Sequence, residues 1–323
     1  MKNENLTSAA EQSLAVSVGA LTLTSPLMNA SGAFNPEVFG RCFPLQEHMG
    51  AVVMKTLTPE ASKGNLQQRT VALPSLGMLN SIGLQGKGIT AGLRAELPQW
   101  SETGVPVVFS VSASSVEAFE AAIITVFAHP AAVESIHAVE LNLSCPNVHA
   151  GGSVFGSSPT WVKAVVAAVK AVCPVPVWVK LTPNVTSVLP IAEEAITAGA
   201  DALVAINTVL AAHVDVRRKK ASLSRVSGGY SGVGMKPIAL HHILQLAQAF
   251  PHYPIVGVGG IETTEDVLAF LMAGCCAVQI GTQAFRQPWV FPSVTKGLQA
   301  YMKQEGISTL KPIMGCAVPV VRR

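Results

Sequence analysis

The sequence predicts an α/β protein, a closed (β/α)8 barrel of the TIM type, and three observations carry that prediction. Eight short β-rich apolar segments recur along the chain, and helical patterns with one apolar face fill most of the gaps between them. The length, 323 residues, covers the about 250 that such a barrel takes and leaves room for insertions. Continuous apolar strands alternating with amphipathic helices mean parallel strands covered by helices, and eight units favour closure over an open doubly wound sheet.

The first element precedes the barrel. Leu14, Val16 and Val18, then Leu21 and Leu23, alternate around Gly19-Ala20, which predicts an N-terminal β-hairpin. The barrel strands follow as "PLMNAS" (26–31), "GAVVMKT" (50–56), "PVVFSVS" (106–112), "AVELNLS" (138–144), "VPVWVKL" (175–181), "ALVAIN" (202–207), "PIVGVGG" (254–260) and "AVQIGT" (277–282). Helices are expected over "SSVEAFEAAIITVFA", "SPTWVKAVVAAVKAV", "SVLPIAEEAITAGA" and "TTEDVLAFLMAGC", each opened by a Ser or Thr cap. Insertions are expected after strands 2, 4 and 6, the long ones being Leu57 to Leu79 and Val209 to Met235. They follow strand C-termini and so overhang the face where barrel sites lie. No linker divides the chain, which reads as one domain over 1–323.

Composition narrows the function. With 49% hydrophobic and 13% charged residues the chain is too apolar for disorder, and a net charge of +3 implies no long polyanion such as nucleic acid as partner. The six cysteines form no CxxC pair and no His/Cys cluster, so neither zinc nor an iron–sulfur cluster is indicated. Cys173, Cys275 and Cys276 read as small buried apolar residues of a chain kept in a reducing cytosol. Glu4 and Glu11 ahead of Leu14 argue against a signal peptide, and no run reaches the about 18 apolar residues of a membrane span. A cytoplasmic location without an anchor is expected.

Strand after strand ends in a chemically useful group: Ser31, Lys55, Ser110, Asn142, Lys180 and Asn207. Each alone has a plain explanation, because Asn and Ser commonly end strands and Lys snorkels. In a barrel the six converge. Lys55 and Lys180 close apolar runs, where a lysine is costly unless it meets an anion or an electron-rich ring; a Schiff-base lysine, as in aldolases, is the competing use. "GVGGI" (257–261) and "IGTQAF" (280–285) follow strands 7 and 8, where barrels present backbone N–H groups to a phosphate. A phosphorylated cofactor fits there.

In order along nearly the whole chain, "NASG", "MLNSIGLQ", "ELNLSCPN", "VKLTPN", "INT", "GGYSG", "GVGGI" and "IGT" resemble class 1 dihydroorotate dehydrogenase. The nearest likeness is to the catalytic subunit of subclass B, through "MLNSIGLQ", "SCPNVHAGG" and "GISTLKPIMG". The resemblance implies an FMN-binding barrel that oxidises dihydroorotate to orotate in pyrimidine (UMP) biosynthesis. It implies FMN contacts at Ser31, Lys55, Thr56, Ser110, Asn142, Lys180, Ile206 and Gly232, with the phosphate on Gly259, Gly260, Gly281 and Thr282. Substrate contacts are implied at Lys55, Asn80, Ser81, Ile82, Gly83, Leu84, Asn142, Asn147, Asn207 and Thr208. Asparagine suits orotate, whose ring offers amide-like donors and acceptors.

Cys145 is by the same resemblance the base that removes the C5 proton while C6 gives its hydride to FMN N5. A thiol with an ordinary pKa of about 8.5 is mostly protonated at neutral pH, so the site must lower that value, relay the proton or run better in mild alkali. Three departures stand out. Ser110 occupies the usual place of an asparagine, "LQGKG" replaces "LQNPG", and the loop after strand 6 carries a basic run, Arg217 to Lys220, read as a solvated hairpin tip. Subclass B enzymes pair with a subunit that carries FAD and a [2Fe-2S] cluster and passes electrons to NAD. A homodimer, joined by such a subunit into a heterotetramer, is therefore the expected assembly. The alternatives are a fumarate-dependent enzyme without that partner and a flavin-independent Schiff-base barrel using Lys180.

Overall fold

The computed structural model describes residues 12–144 and 155–319. Eight parallel strands form the barrel wall: β1 (Leu27–Asn29), β2 (Val52–Val53), β3 (Val107–Val111), β4 (Ile136–Asn142), β5 (Val177–Leu181), β6 (Ala202–Ala205), β7 (Ile255–Val258) and β8 (Ala277–Ile280). All eight coincide with the apolar segments of the sequence. Their spatial order is β1-β8-β7-β6-β5-β4-β3-β2, every neighbouring pair parallel. Every residue of β3, β5, β6, β7 and β8 is buried, which is why these strands read as unbroken apolar runs rather than as alternating ones.

Closure between β1 and β2 is made in an unusual way. Gly50 N donates to Leu27 O at 2.9 Å and Met28 bridges Ala51, but the next rung is a side chain. Asn29, fully buried, donates from Nδ2 to Val53 O at 2.7 Å and accepts from Val53 N at 2.9 Å, so its amide stands in for a backbone peptide.

The expected helices form at Val116–Phe127, Pro159–Val172, Leu189–Thr197 and Thr264–Met272. Ser115, Ser158 and Thr263 cap three of them, Thr263 in a reciprocal capping box with Asp266. The third helix differs from expectation, for Val188 and not a Ser or Thr occupies its N-cap. Pro190 has no N–H to offer a cap three residues back, and Ser187 Oγ takes the Leu189 N–H instead, at 3.3 Å.

Ahead of the barrel, Val16–Val18 pairs antiparallel with Leu21–Leu23, as the alternation predicts. The insertions after β2 and β6 are not separate loops. Thr70–Leu73 and Gly77–Asn80 from the first join Val209–Ala211 and Gly228–Ser231 from the second in one four-stranded antiparallel sheet. The insertion after β4 falls largely outside the described residues, which resume with a 3-10 turn at Phe155–Ser157. Arg217 to Lys220 cap a small hairpin as exposed residues, as expected. The N–H groups of Arg218 and Arg217 turn toward Asp215 Oδ1 and hold its carboxyl below the usual carboxylate range. Cys275 is fully buried, and burial pushes its thiol well above the ordinary value. Cys276 and Cys173 are half-buried, with thiols also raised by burial, that of Cys276 to about 12.

Candidate active site

A cavity of about 550 Å³ opens at the C-terminal ends of the barrel strands, beneath the antiparallel sheet. Strand ends supply its floor: Ser31 after β1, Lys55 and Thr56 after β2, Asn142 on β4, Lys180 on β5, and Ile206 to Thr208 after β6. The insertions supply the roof, with Asn80, Ile82 and Leu84 from one and Gly232 from the other. Gly259 and Gly260 after β7 and Gly281 and Thr282 after β8 complete one wall. Five of the six strand-end groups singled out in the sequence, Ser31, Lys55, Asn142, Lys180 and Asn207, thus face one space.

Hydrogen bonds fix these groups before any ligand arrives. Thr56 Oγ1 lies 3.1 Å from Ser31 Oγ and 2.8 Å from Ser110 Oγ, and Asn142 Nδ2 donates to it at 3.4 Å. Asn207 Nδ2 donates to Asn142 Oδ1 at 3.1 Å and to Ser144 Oγ at 2.9 Å, while Asn207 Oδ1 accepts from Thr208 N at 2.8 Å. The two asparagines are thereby held in defined orientations. Lys55 Nζ donates to the Gln85 carbonyl at 2.5 Å and ties the floor to the roof. Asn80 Nδ2 reaches across to Gly229 O at 3.3 Å.

Several predicted residues sit differently. Ser110 does not line the cavity: it is fully buried behind Thr56, and its short side chain ends on that hydroxyl. Ser81 and Gly83 also lie off the walls. Ser81 Oγ accepts from Asn65 Nδ2 at 3.0 Å, and a Cβ on Gly83 would meet Asn65 at 2.7 Å, so both face the insertion's own packing. Cys145 and Asn147 lie outside the described residues; the chain is described up to Ser144, whose hydroxyl is bonded to Asn207.

Sequence reasoning missed three participants. Glu140 and Gln279 are fully buried and hydrogen-bonded to Lys180, and Ser231 accepts from Thr282 Oγ1 at 2.8 Å. The first two had a signal, a charged and an amide side chain inside the apolar runs "AVELN" and "AVQIG". Ser231 had none beyond its place in "GGYSG". Among the described residues no group of three or more His, Cys, Asp or Glu could hold a metal, and no helix is long and apolar enough to cross a membrane.

A (β/α)8 barrel with its polar side chains converging on a cavity at the strand C-termini is an enzyme barrel. The chain belongs to the dihydroorotate dehydrogenase family, oxidoreductases whose family model matches residues 13–302. It is 40% identical over 305 residues to dihydroorotate dehydrogenase B (NAD(+)), catalytic subunit, of Geobacillus sp. (strain WCH70), covering 94% of this chain and 95% of that one. The protein of the same name from Enterococcus faecalis (strain ATCC 47077 / OG1RF) is 38% identical over 303 residues, covering 93% and 95%. That from Listeria monocytogenes serotype 4a (strain HCC23) is 39% identical over 301 residues, covering 93% and 97%.

Proposed function

We propose that this chain is one FMN-binding barrel domain that oxidises dihydroorotate to orotate in the cytoplasm, and that it passes the electrons to NAD through a separate subunit. The observation that supports this reading is that residues of the implied cofactor set and of the implied substrate set line the same cavity. The relatives' shared name, catalytic subunit of an NAD(+) enzyme, supports the partner.

The cavity fits FMN. Gly259 and Gly260 adopt φ of +134° and +75°, and a Cβ on Gly260 would meet Lys236 N at 2.7 Å, so this turn stays bare backbone. The helix that starts at Thr282 has no side-chain cap, which leaves first-turn N–H groups beside this turn for an anion. When bound, FMN supplies the two-electron acceptor for the substrate's hydride. The chain's own residues do the rest. Asn142 and Asn207, locked to each other, offer amide donors and acceptors to the planar substrate ring, and Lys55 offers its ammonium to the carboxylate. Lys180, lining the same cavity, would offer its side-chain amine group to the negative charge of a reduced cofactor. Cys145, one residue beyond the bonded Ser144, takes the proton from C5 of the substrate.

The Schiff-base alternative needs Lys180 as a free amine, whereas its Nζ donates to Glu140 and Gln279. The assembly this reading carries is a homodimer joined by an FAD and [2Fe-2S] subunit.

Anaerobic bleaching of the purified yellow protein by dihydroorotate, followed by NAD, fumarate and quinone as oxidants with and without the partner, tests the reading. A flavin that dihydroorotate leaves oxidised would sink it, and reoxidation by fumarate alone would replace the NAD branch. Cys145→Ala is expected to keep its flavin and lose turnover by about 10²- to 10⁴-fold, the usual contribution of a general base. Reduction at the parent rate would remove Cys145 from that role.

A further inference from the structure

Inside the barrel three polar side chains from three strands close on one another. Lys180 on β5 donates from Nζ to Glu140 Oε1 on β4 at 3.2 Å and to Gln279 Oε1 on β8 at 2.9 Å. Gln279 Nε2 completes the ring by donating to Glu140 Oε2 at 2.6 Å. Glu140 and Gln279 have no exposed surface, and of the three it is Lys180 that lines the cavity.

An ammonium and a carboxylate satisfy this ring in full: Nζ donates to both partners, Gln279 uses its oxygen on the lysine and its nitrogen on Glu140, and Glu140 accepts at both oxygens. A carboxylate at that depth persists only against a cation. Stability does not require the arrangement, because a hydrophobic trio of similar volume is often as stable or more so.

We propose that Glu140 and Gln279 are the positioning residues of Lys180: the carboxylate holds the side chain as an ammonium, and the amide fixes where its Nζ points. The inference rests on the FMN reading above and names the groups that act behind the lysine. Negative charge that arrives at the cofactor on reduction then meets a cation already in place, and no proton has to be brought to the lysine. The other charged side chains on the cavity are Lys55, bonded to the Gln85 carbonyl, and Glu262, 3.6 Å from Arg286. Neither is bonded to Lys180.

In Glu140→Gln the buried lysine has no counter-charge, and burial favours its neutral form until the cofactor becomes negative. Proton uptake by Lys180 is then coupled to reduction. The midpoint potential of bound FMN, measured against a reference dye from about pH 6 to 9, reports this without any turnover. The variant is expected to take up one more proton per two electrons than the parent. That is a tenfold change in the reduction equilibrium per pH unit, or a slope steeper by about 30 mV per pH unit. Glu140→Asp, which keeps the charge, is expected to keep the parent slope. The parent slope in Glu140→Gln overturns the inference and leaves the FMN reading standing; a parent chain that binds no FMN overturns both.

Should Glu140→Gln not fold, urea unfolding of the apoprotein tests the same pair. Lys180→Met strands the carboxylate, so adding Glu140→Gln to it is expected to raise the midpoint. A double variant no more stable than Lys180→Met would mean that the two residues are not coupled.

Discussion

Ser110 shows how much a side chain's length decides. The sequence puts a hydroxyl at the end of β3, where relatives of this family were expected to carry an amide that reaches the cofactor. The chain's direction toward the cavity was legible; the depth was not, because one strand position serves either a long side chain that enters the space or a short one that stops behind Thr56. The hydroxyl ends 2.8 Å from Thr56 Oγ1, and Thr56 retains Ser31 and Asn142 as further partners. Ser110→Ala should therefore lower unfolding stability by only about 1 kcal/mol, the net worth of one neutral hydrogen bond, and leave flavin content unchanged. Urea midpoints and the absorbance ratio of flavin to protein check both halves. Loss of flavin at unchanged stability would return Ser110 to the cofactor's contacts.

Among the elements, the strands and helices were readable because their signals are local. Both faces of β5 or β8 are buried, so each is an unbroken apolar run, and three of the four expected helices open on a capping side chain. The roof sheet was invisible for the opposite reason. Its central pairing sets Leu79 against Tyr230, strands about 150 residues apart along the chain, and nothing in either segment names the other. Glycine makes the crossing possible. Gly77 has φ +133°, and a Cβ there would sit 2.0 Å from Ser231 O and 2.7 Å from Gly232 Cα, next to a residue of the cavity roof. Gly77→Ala must displace that backbone. It is expected to cost about 1–3 kcal/mol, the usual range for backbone strain, and to weaken FMN binding because Gly232 moves with it. Flavin retention on dilution and the urea midpoint together test this; a variant that holds FMN as tightly as the parent would show that the roof does not help to clamp the cofactor.

For the whole molecule the question is what closes the barrel. Eight strands were countable in the sequence, but a count does not say which neighbours close the wall: β1 meets β8 in an ordinary parallel ladder, whereas between β1 and β2 the ladder is short. Asn29 lies in "NASG", two residues before Ser31, and motif reasoning alone would assign it to the ligand with its neighbours. Its bonds assign it elsewhere: Val53 N–H and Val53 C=O both end on its amide, and Asn29 is absent from the cavity walls. Asn29→Leu keeps the approximate volume and strands both groups in the interior. Each unsatisfied buried group costs about 1–3 kcal/mol, so the expected loss for the two is about 2–6 kcal/mol, read as a lower urea midpoint at an unchanged slope. The same variant, at temperatures where it stays folded, should bind FMN with near-parent affinity, since no contact to the cavity is removed. Parent stability with lost flavin would reverse the assignment and make Asn29 a ligand residue; a loss of stability with flavin retained would make it the side chain that joins the barrel's two ends.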